Sequence, residues 1–253
     1  IDLRRSQVEL ASHSLHRGLG LRAVVSGAVG FSSSSDMSQL SSVARSAVQS
    51  ARARGPDPDW RGFPIPERAI KPEGIFDARL ADAGAEECLE LAESLIEGCS
   101  NVPGAEPVSG SLACISGSSF IINSSGLERE ETWTLMHASL EAIARGADVA
   151  TGSDFIISRS MVASLEEVGR SAARLACSSL GGGKAESGSS VVLLRPQAAA
   201  ELLENTLIPA ILADNIQKGR SSLAGRKGDA VASGDLTIID DGLLAGGIDS
   251  SAF

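Results

Sequence analysis

Residues 108–158 read VSGSLACISGSSFIINSSGLEREETWTLMHASLEAIARGADVATGSDFIIS, and their pattern decides the fold class. Short apolar runs alternate with hydroxyl residues and are broken by Ser-Gly pairs, the punctuation of strands rather than of a helix. The stretch reads as a meander: VSGSLACIS, SSFIINSSG, a long segment around Trp133 to Ile143, and SDFIIS, with turns at Ser116-Gly117 and Ser125-Gly126.

Amphipathic helices flank this meander. Upstream, residues 82–99 place Ala85, Cys88, Leu89, Ala92, Leu95, Ile96 and Cys99 at i, i+3, i+4, i+7, with Gly98 and Asn101-Val102-Pro103-Gly104 as the stop. Downstream, Val162, Leu165, Val168, Ala172, Leu175 and Leu180 line one helix face, ended by Gly181, Gly182 and Gly183. Further downstream, SSVVLLR (189–195) reads as a short buried strand. A helix PQAAAELLENTL opens with Pro196 near N1, and LTIIDDG (236–242) reads as a last strand.

Towards the start, residues 1–10 alternate as one strand, with a slip near Arg5. Residues 19–33 read as two strands joined at Ser26-Gly27. A helix follows over 38–54, with Asp36 or Ser38 as N-cap. The connection 55–75 holds five of the nine prolines and reads as an irregular surface or interface loop. Strands in runs with helices that do not alternate strictly give an α+β fold, with mixed or antiparallel sheets and amphipathic helices.

The chain has 253 residues, enough to bury a core without metals or disulfides. It carries a net charge of −10 and no tyrosine, with 3% aromatic residues. Phosphate backbones demand Lys and Arg, and base stacking demands aromatics, so nucleic acid is not an expected partner. No apolar run approaches the roughly 20 residues of a membrane span, and no signal peptide opens the chain, so a cytoplasmic location is expected. Cys88, Cys99, Cys114 and Cys177 form no CxxC pair and read as reduced thiols in or near the core.

Several chemical signals fail on spacing. LGGGKAESG (180–188) has Ser178 where a phosphate loop needs its first glycine and Ala185 where it needs a hydroxyl, so a helix C-cap is the reading. GLGLRA (18–23) lacks the third glycine of a dinucleotide fingerprint. His13 and His16, if extended, point to opposite faces, and His137 has no evident partner; all three read as structural or solvated. Asp240 and Asp241 could bind a cation or do acid–base work, against the plainer role of capping a strand and shaping the turn at Gly242.

Three stretches together resemble the TldD/TldE (PmbA) family: GLRAVVSGAVGFSSSSDMS (20–38), VVLLRPQAAAELLENTLIPAI (191–211) and SSLAGRKGDAVASGDLTIIDDGLLAGGIDSSAF (221–253). The last is the most specific, because glycine, hydroxyl and acidic positions fall at the family's spacing. The resemblance implies an expectation that some N-terminal sequence and a C-terminal domain are missing from 1–253. Residues 236–253 would then lie in the core of a sheet, beside an apolar surface that the absent domain would cover.

The resemblance also locates the family's zinc motif, HExxxH in TldD subunits. Counting back from Gly228 and Gly219, its first His falls on Glu204, its Glu on Asn205 and its second His on Pro209. Asn205 cannot take a proton from metal-bound water, and Pro209 has no side-chain ligand and would kink a helix. The resemblance therefore implies the TldE branch: a non-catalytic subunit with no cofactor of its own, zinc being expected only in a TldD-like partner. The pair would process or degrade peptides. The alternatives are an active metallopeptidase with other ligands, or a stand-alone peptide-binding scaffold, perhaps a homodimer. The family's older name, modulator of DNA gyrase, suggests DNA work, against which the acidic composition argues.

Overall fold

The computed structural model describes residues 1–66 and 70–253. Its strands form a five-stranded antiparallel sheet and a separate antiparallel pair, with helices between them in the chain, which is the α+β class. Two units are distinct: residues 1–182 with 241–253, and residues 183–240.

In the first unit, β1 (Asp2–Arg4) and β2 (Gln7–Leu10) form a hairpin, so 1–10 is not the single strand expected. The slip near Arg5 is its turn, where Arg5 takes a left-handed φ of 55°. β3 (Leu19–Val25) and β4 (Ala28–Ser34) pair in full register around Ser26-Gly27. Both turn residues have positive φ, 51° and 80°, the backbone a two-residue hairpin needs to match strand twist. Asp36 accepts the Ser38 N–H and caps a short 3-10 turn, and α1 (Leu40–Ala53) then buries Val43, Ala47 and Ala51 against this hairpin. The connection 55–75 is irregular where described; residues 67–69 lie outside the described residues.

After a single helical turn, α2 (Ala78–Ala81), the expected helix appears as α3 (Ala85–Ser100). Gly98 does not stop it but lies buried within it. The meander is three long strands: β5 (Ala105–Ile122), β6 (Glu128–Arg145) and β7 (Val149–Ser158). Sheet order is β2-β1-β5-β6-β7, all antiparallel. The Ser125-Gly126 turn is present, but Ser116-Gly117 is mid-strand. Gly117 faces Trp133 across the ladder, and a β-carbon there would stand 2.6 Å from the indole. The glycine makes room for a ring rather than for a turn.

Along β6 alternate residues Thr134, Met136, Ala138, Leu140, Ala142 and Ala144 are buried. The apolar five belong to one core with Leu91, Leu95 and Cys99 of α3 and with Val168, Ala172 and Ala176 of α4 (Glu166–Ser178). The opposite face leaves Ile115, Phe155 and Ile157 exposed.

The second unit contains α5 (Pro196–Ile211) and α6 (Ala213–Gln217), and none of its residues is buried. Two expectations fail here. Residues 189–195 form no strand, and Leu193 is 97% exposed. LTIIDDG (236–242) is likewise not a strand, and Ile238 and Ile239 are exposed. A strand exists only by pairing its backbone with a neighbour, and neither run has one among the described residues. Nor is 236–253 the interior of a sheet. Within the first unit, 241–253 is a chain of tight turns held by side chains of the large sheet.

Candidate functional site

Helix α5 carries Glu204, Asn205 and Pro209, the three positions at issue. Arg195 is extended before it, and Pro196 starts it with φ already suited to a helix and no N–H to leave unpaired. The alanines at 198–200 and the leucines and glutamates beyond them are strong helix formers. Pro209 does not interrupt the helix, which continues to Ile211. It sits in the last turn, where a missing N–H forfeits one hydrogen bond near an end that is already open. Its carbonyl accepts from Asn215 Nδ2 at 2.8 Å.

All three positions are exposed. Asn205 spends its amide on the helix, Nδ2 donating to the Glu201 carbonyl at 2.8 Å. Glu204 has no ion pair or side-chain hydrogen bond among the described residues. A catalytic zinc site takes three protein ligands of His, Asp, Glu or Cys type, and these positions offer one carboxylate. They do not fit the metal. Among the described residues no group of three or more His, Cys, Asp and Glu could hold a metal ion.

The other candidates are scattered. Asp241 Oδ1 accepts the Leu243 N–H at 3.0 Å and shapes the turn there; Asp240 is exposed and belongs to the other unit. His13 and His16 lie on an exposed segment, His16 Nε2 3.1 Å from Ser14 Oγ. His137 is half-buried in β6 and stacks on Phe155, ring centroids 6.3 Å apart. At 180–188, Gly181 closes α4 with φ 72°, its N–H donating to Asp148 Oδ2 at 3.0 Å. All four cysteines are free thiols; burial pushes the Cys99 thiol up to about 11 and that of Cys114 up to about 12.

Two polar groups escaped the sequence reading because each sits in a strand or at its end, where burial follows from neighbours distant in sequence. Arg159, just past β7, is 9% exposed and donates to the carbonyls of Thr134, Gly247, Ile248 and Ser250. Glu131 of β6 accepts the Ser251 hydroxyl at 3.1 Å and the Ala252 N–H at 2.5 Å. Together they bind 241–253 to the sheet.

Residues 1–51, 78–180 and 187–253 match, in order, the models for domain 1, the central domain and the C-terminal domain of the PmbA/TldA metallopeptidases. The chain belongs to the PmbA/TldD family. An uncharacterized protein of Methanocaldococcus jannaschii is 29% identical over 244 residues, covering 96% of this chain and 56% of that protein. Among solved structures, a modulator of DNA gyrase from Thermotoga maritima superposes with TM-score 0.78 at 21% identity, over 88% of this chain and 51% of that one. TldE from Thermococcus kodakarensis gives 0.73 at 20%, over 88% and 52%. A modulator of DNA gyrase from Bacteroides thetaiotaomicron gives 0.76 at 22%, over 90% and 54%. These structures share its fold, and the PmbA/TldD-family chain spans about half the length of the relatives it matches. Among its described residues no helix is long and apolar enough to cross a membrane.

Proposed function

We propose that this chain is a TldE/PmbA-type, non-catalytic subunit of a TldD/TldE-type metallopeptidase that processes or degrades peptides, working beside a TldD-like partner that holds the zinc. One observation supports the reading: Glu204, Asn205 and Pro209, on which the family's motif falls by an ungapped count, lie on a regular helix and together offer one carboxylate, where a catalytic zinc site takes three protein ligands. The chain's own role is then wall and docking surface. The sheet offers a place for an extended peptide, since β7 is an edge strand of ten residues with no further strand paired to it among the described residues. Strand addition there supplies main-chain hydrogen bonds without much demand on sequence.

The deciding experiment reconstitutes the chain with a TldD homologue and measures peptide cleavage and zinc content of each subunit. Zinc is expected with the partner alone, and Glu204→Ala leaves turnover within twofold. Stoichiometric zinc on this chain, or loss of turnover in Glu204→Ala with assembly intact, overturns the reading.

A further inference from the structure

The β3–β4 hairpin and the segment leaving α1 enclose a cleft of about 380 Å³, lined by Arg22, Val29, Phe31, Arg54, Asp57 and Trp60 and floored by the Gly30 backbone. That is within the size range of small-ligand pockets. Its construction is specific. Arg22 and Phe31 are directly opposed across the ladder, so both side chains stand on the same face of the hairpin. The segment after α1 is pinned over the hairpin tip by the Asp57 N–H donating to the Gly27 carbonyl at 2.9 Å. It continues through a Trp60 N–H bond to the Asp57 carbonyl at 3.2 Å. Trp60 is braced edge-on by Phe63, centroids 5.1 Å apart at 81°. The cleft therefore has an aromatic wall held in place and two guanidiniums beside it.

Those guanidiniums are uncommitted. Among the described residues neither Arg22 nor Arg54 has an ion pair or a side-chain hydrogen bond. The one carboxylate lining the cleft, Asp57, already accepts the Asp59 N–H at 2.9 Å. In a chain of net charge −10, two unpaired arginines sharing a cleft with one acid leave a local positive excess against the overall field. Guanidinium forks match carboxylates in geometry and charge, and the aromatic wall suits an apolar group attached to one.

We propose that this cleft binds an organic carboxylate carrying an apolar group, either the C terminus of a peptide or a free small acid. The assignment does not depend on the reading of α5, and its failure leaves that reading untouched.

Calorimetric titration of the full chain tests it with N-acetylphenylalanine, the tripeptide Ala-Ala-Phe, the C-terminal amide of each, and adenosine monophosphate. Both acids are expected to bind and both amides to fail. Tighter binding of the tripeptide points to a peptide C terminus, and equal binding to a free acid. Arg22→Gln and Arg54→Gln, at exposed positions whose variants are checked by thermal melting, each weaken binding roughly tenfold. Amides that bind as well as acids, arginine variants that bind as the parent does, or tighter binding of the nucleotide would overturn the proposal.

Discussion

Gly169 of α4 lies so close to Leu95 of α3 that a β-carbon on it would stand 2.0 Å from the Leu95 carbonyl oxygen. Gly98 stands in the same relation to the Glu166 carbonyl, also at 2.0 Å, so the two helices cross backbone to backbone. Gly169→Ala gains about 1 kcal/mol of helix propensity but forces this crossing apart. Overpacking of this kind costs about 1–3 kcal/mol, and with backbone rather than a pliable side chain in the way the upper end applies. Chemical denaturation should show net destabilisation. Gly146→Ala, whose β-carbon meets Leu180 at an ordinary 3.5 Å, should be near neutral. Equal effects of the two substitutions would refute the close-crossing account.

The Arg159 guanidinium makes four charge-assisted contacts to main-chain carbonyls, three in segment 241–253 (Gly247, Ile248 and Ser250) and one to Thr134 of β6. Arg159→Met removes them while keeping the stem's volume and leaves buried carbonyls unpaired, a loss of about 1–3 kcal/mol. Limited proteolysis of the variant should cut within 241–253 at least tenfold faster than the parent. Unchanged cutting would mean that the segment is held by something else.

Asp77 ties α2 to the strand end of β7. Its carboxylate accepts the Met161 N–H at 2.8 Å and the Arg79 N–H at 2.9 Å. The Met161 bond first, then those from Arg79 and Leu80, hold the carboxyl below its ordinary 3.8, with desolvation opposing. A depressed folded-state value contributes stability above the ordinary value and loses it as pH falls through the folded one. Asp77→Asn should therefore melt lower than the parent at pH 7, and the gap should narrow as the pH is taken from 5 to 3. A gap constant across that range would show that the charge plays no part.

Cys99 and Cys114 are thiols at neutral pH, pushed up to about 11 and about 12 chiefly by burial. At pH 8 the thiolate of Cys99 is on the order of one part in a thousand, and only the thiolate attacks an alkylating agent. Iodoacetamide should leave both unlabelled in the folded chain and label all four cysteines after denaturation, read by peptide mass spectrometry. Labelling of either in the folded state at the rate of a free thiol would contradict the burial seen here.

Much of the fold was legible in local pattern. The spacing of Ala92, Leu95 and Cys99, the turn at Ser26-Gly27, the cap at Asp36 on the turn that leads into α1 and the proline start of α5 are each set by interactions within a few residues. The errors share a cause. By local pattern Gly98 reads as a helix stop and Ser116-Gly117 as a turn, yet the two glycines serve close approach, to Glu166 and to Trp133, neither of which lies within reach along the chain. Residues 189–195 and 236–242 have strand composition without a strand beside them.

By itself the sequence determined the α+β class and the family, and it fixed the chemistry available at Glu204, Asn205 and Pro209. Those follow from which side chains stand at which spacing, and Asn205 and Pro209 lack zinc-ligand chemistry in any conformation. Only the tertiary structure decided that Arg159 is buried among carbonyls rather than solvated, and that Glu131 holds Ser251 from 120 positions away. It alone brought Arg22, Arg54 and Trp60 to one cleft. A side chain's charge is a property of its own atoms. Whether that charge is paired, buried or waiting for a ligand depends on which distant backbone the fold carries to it.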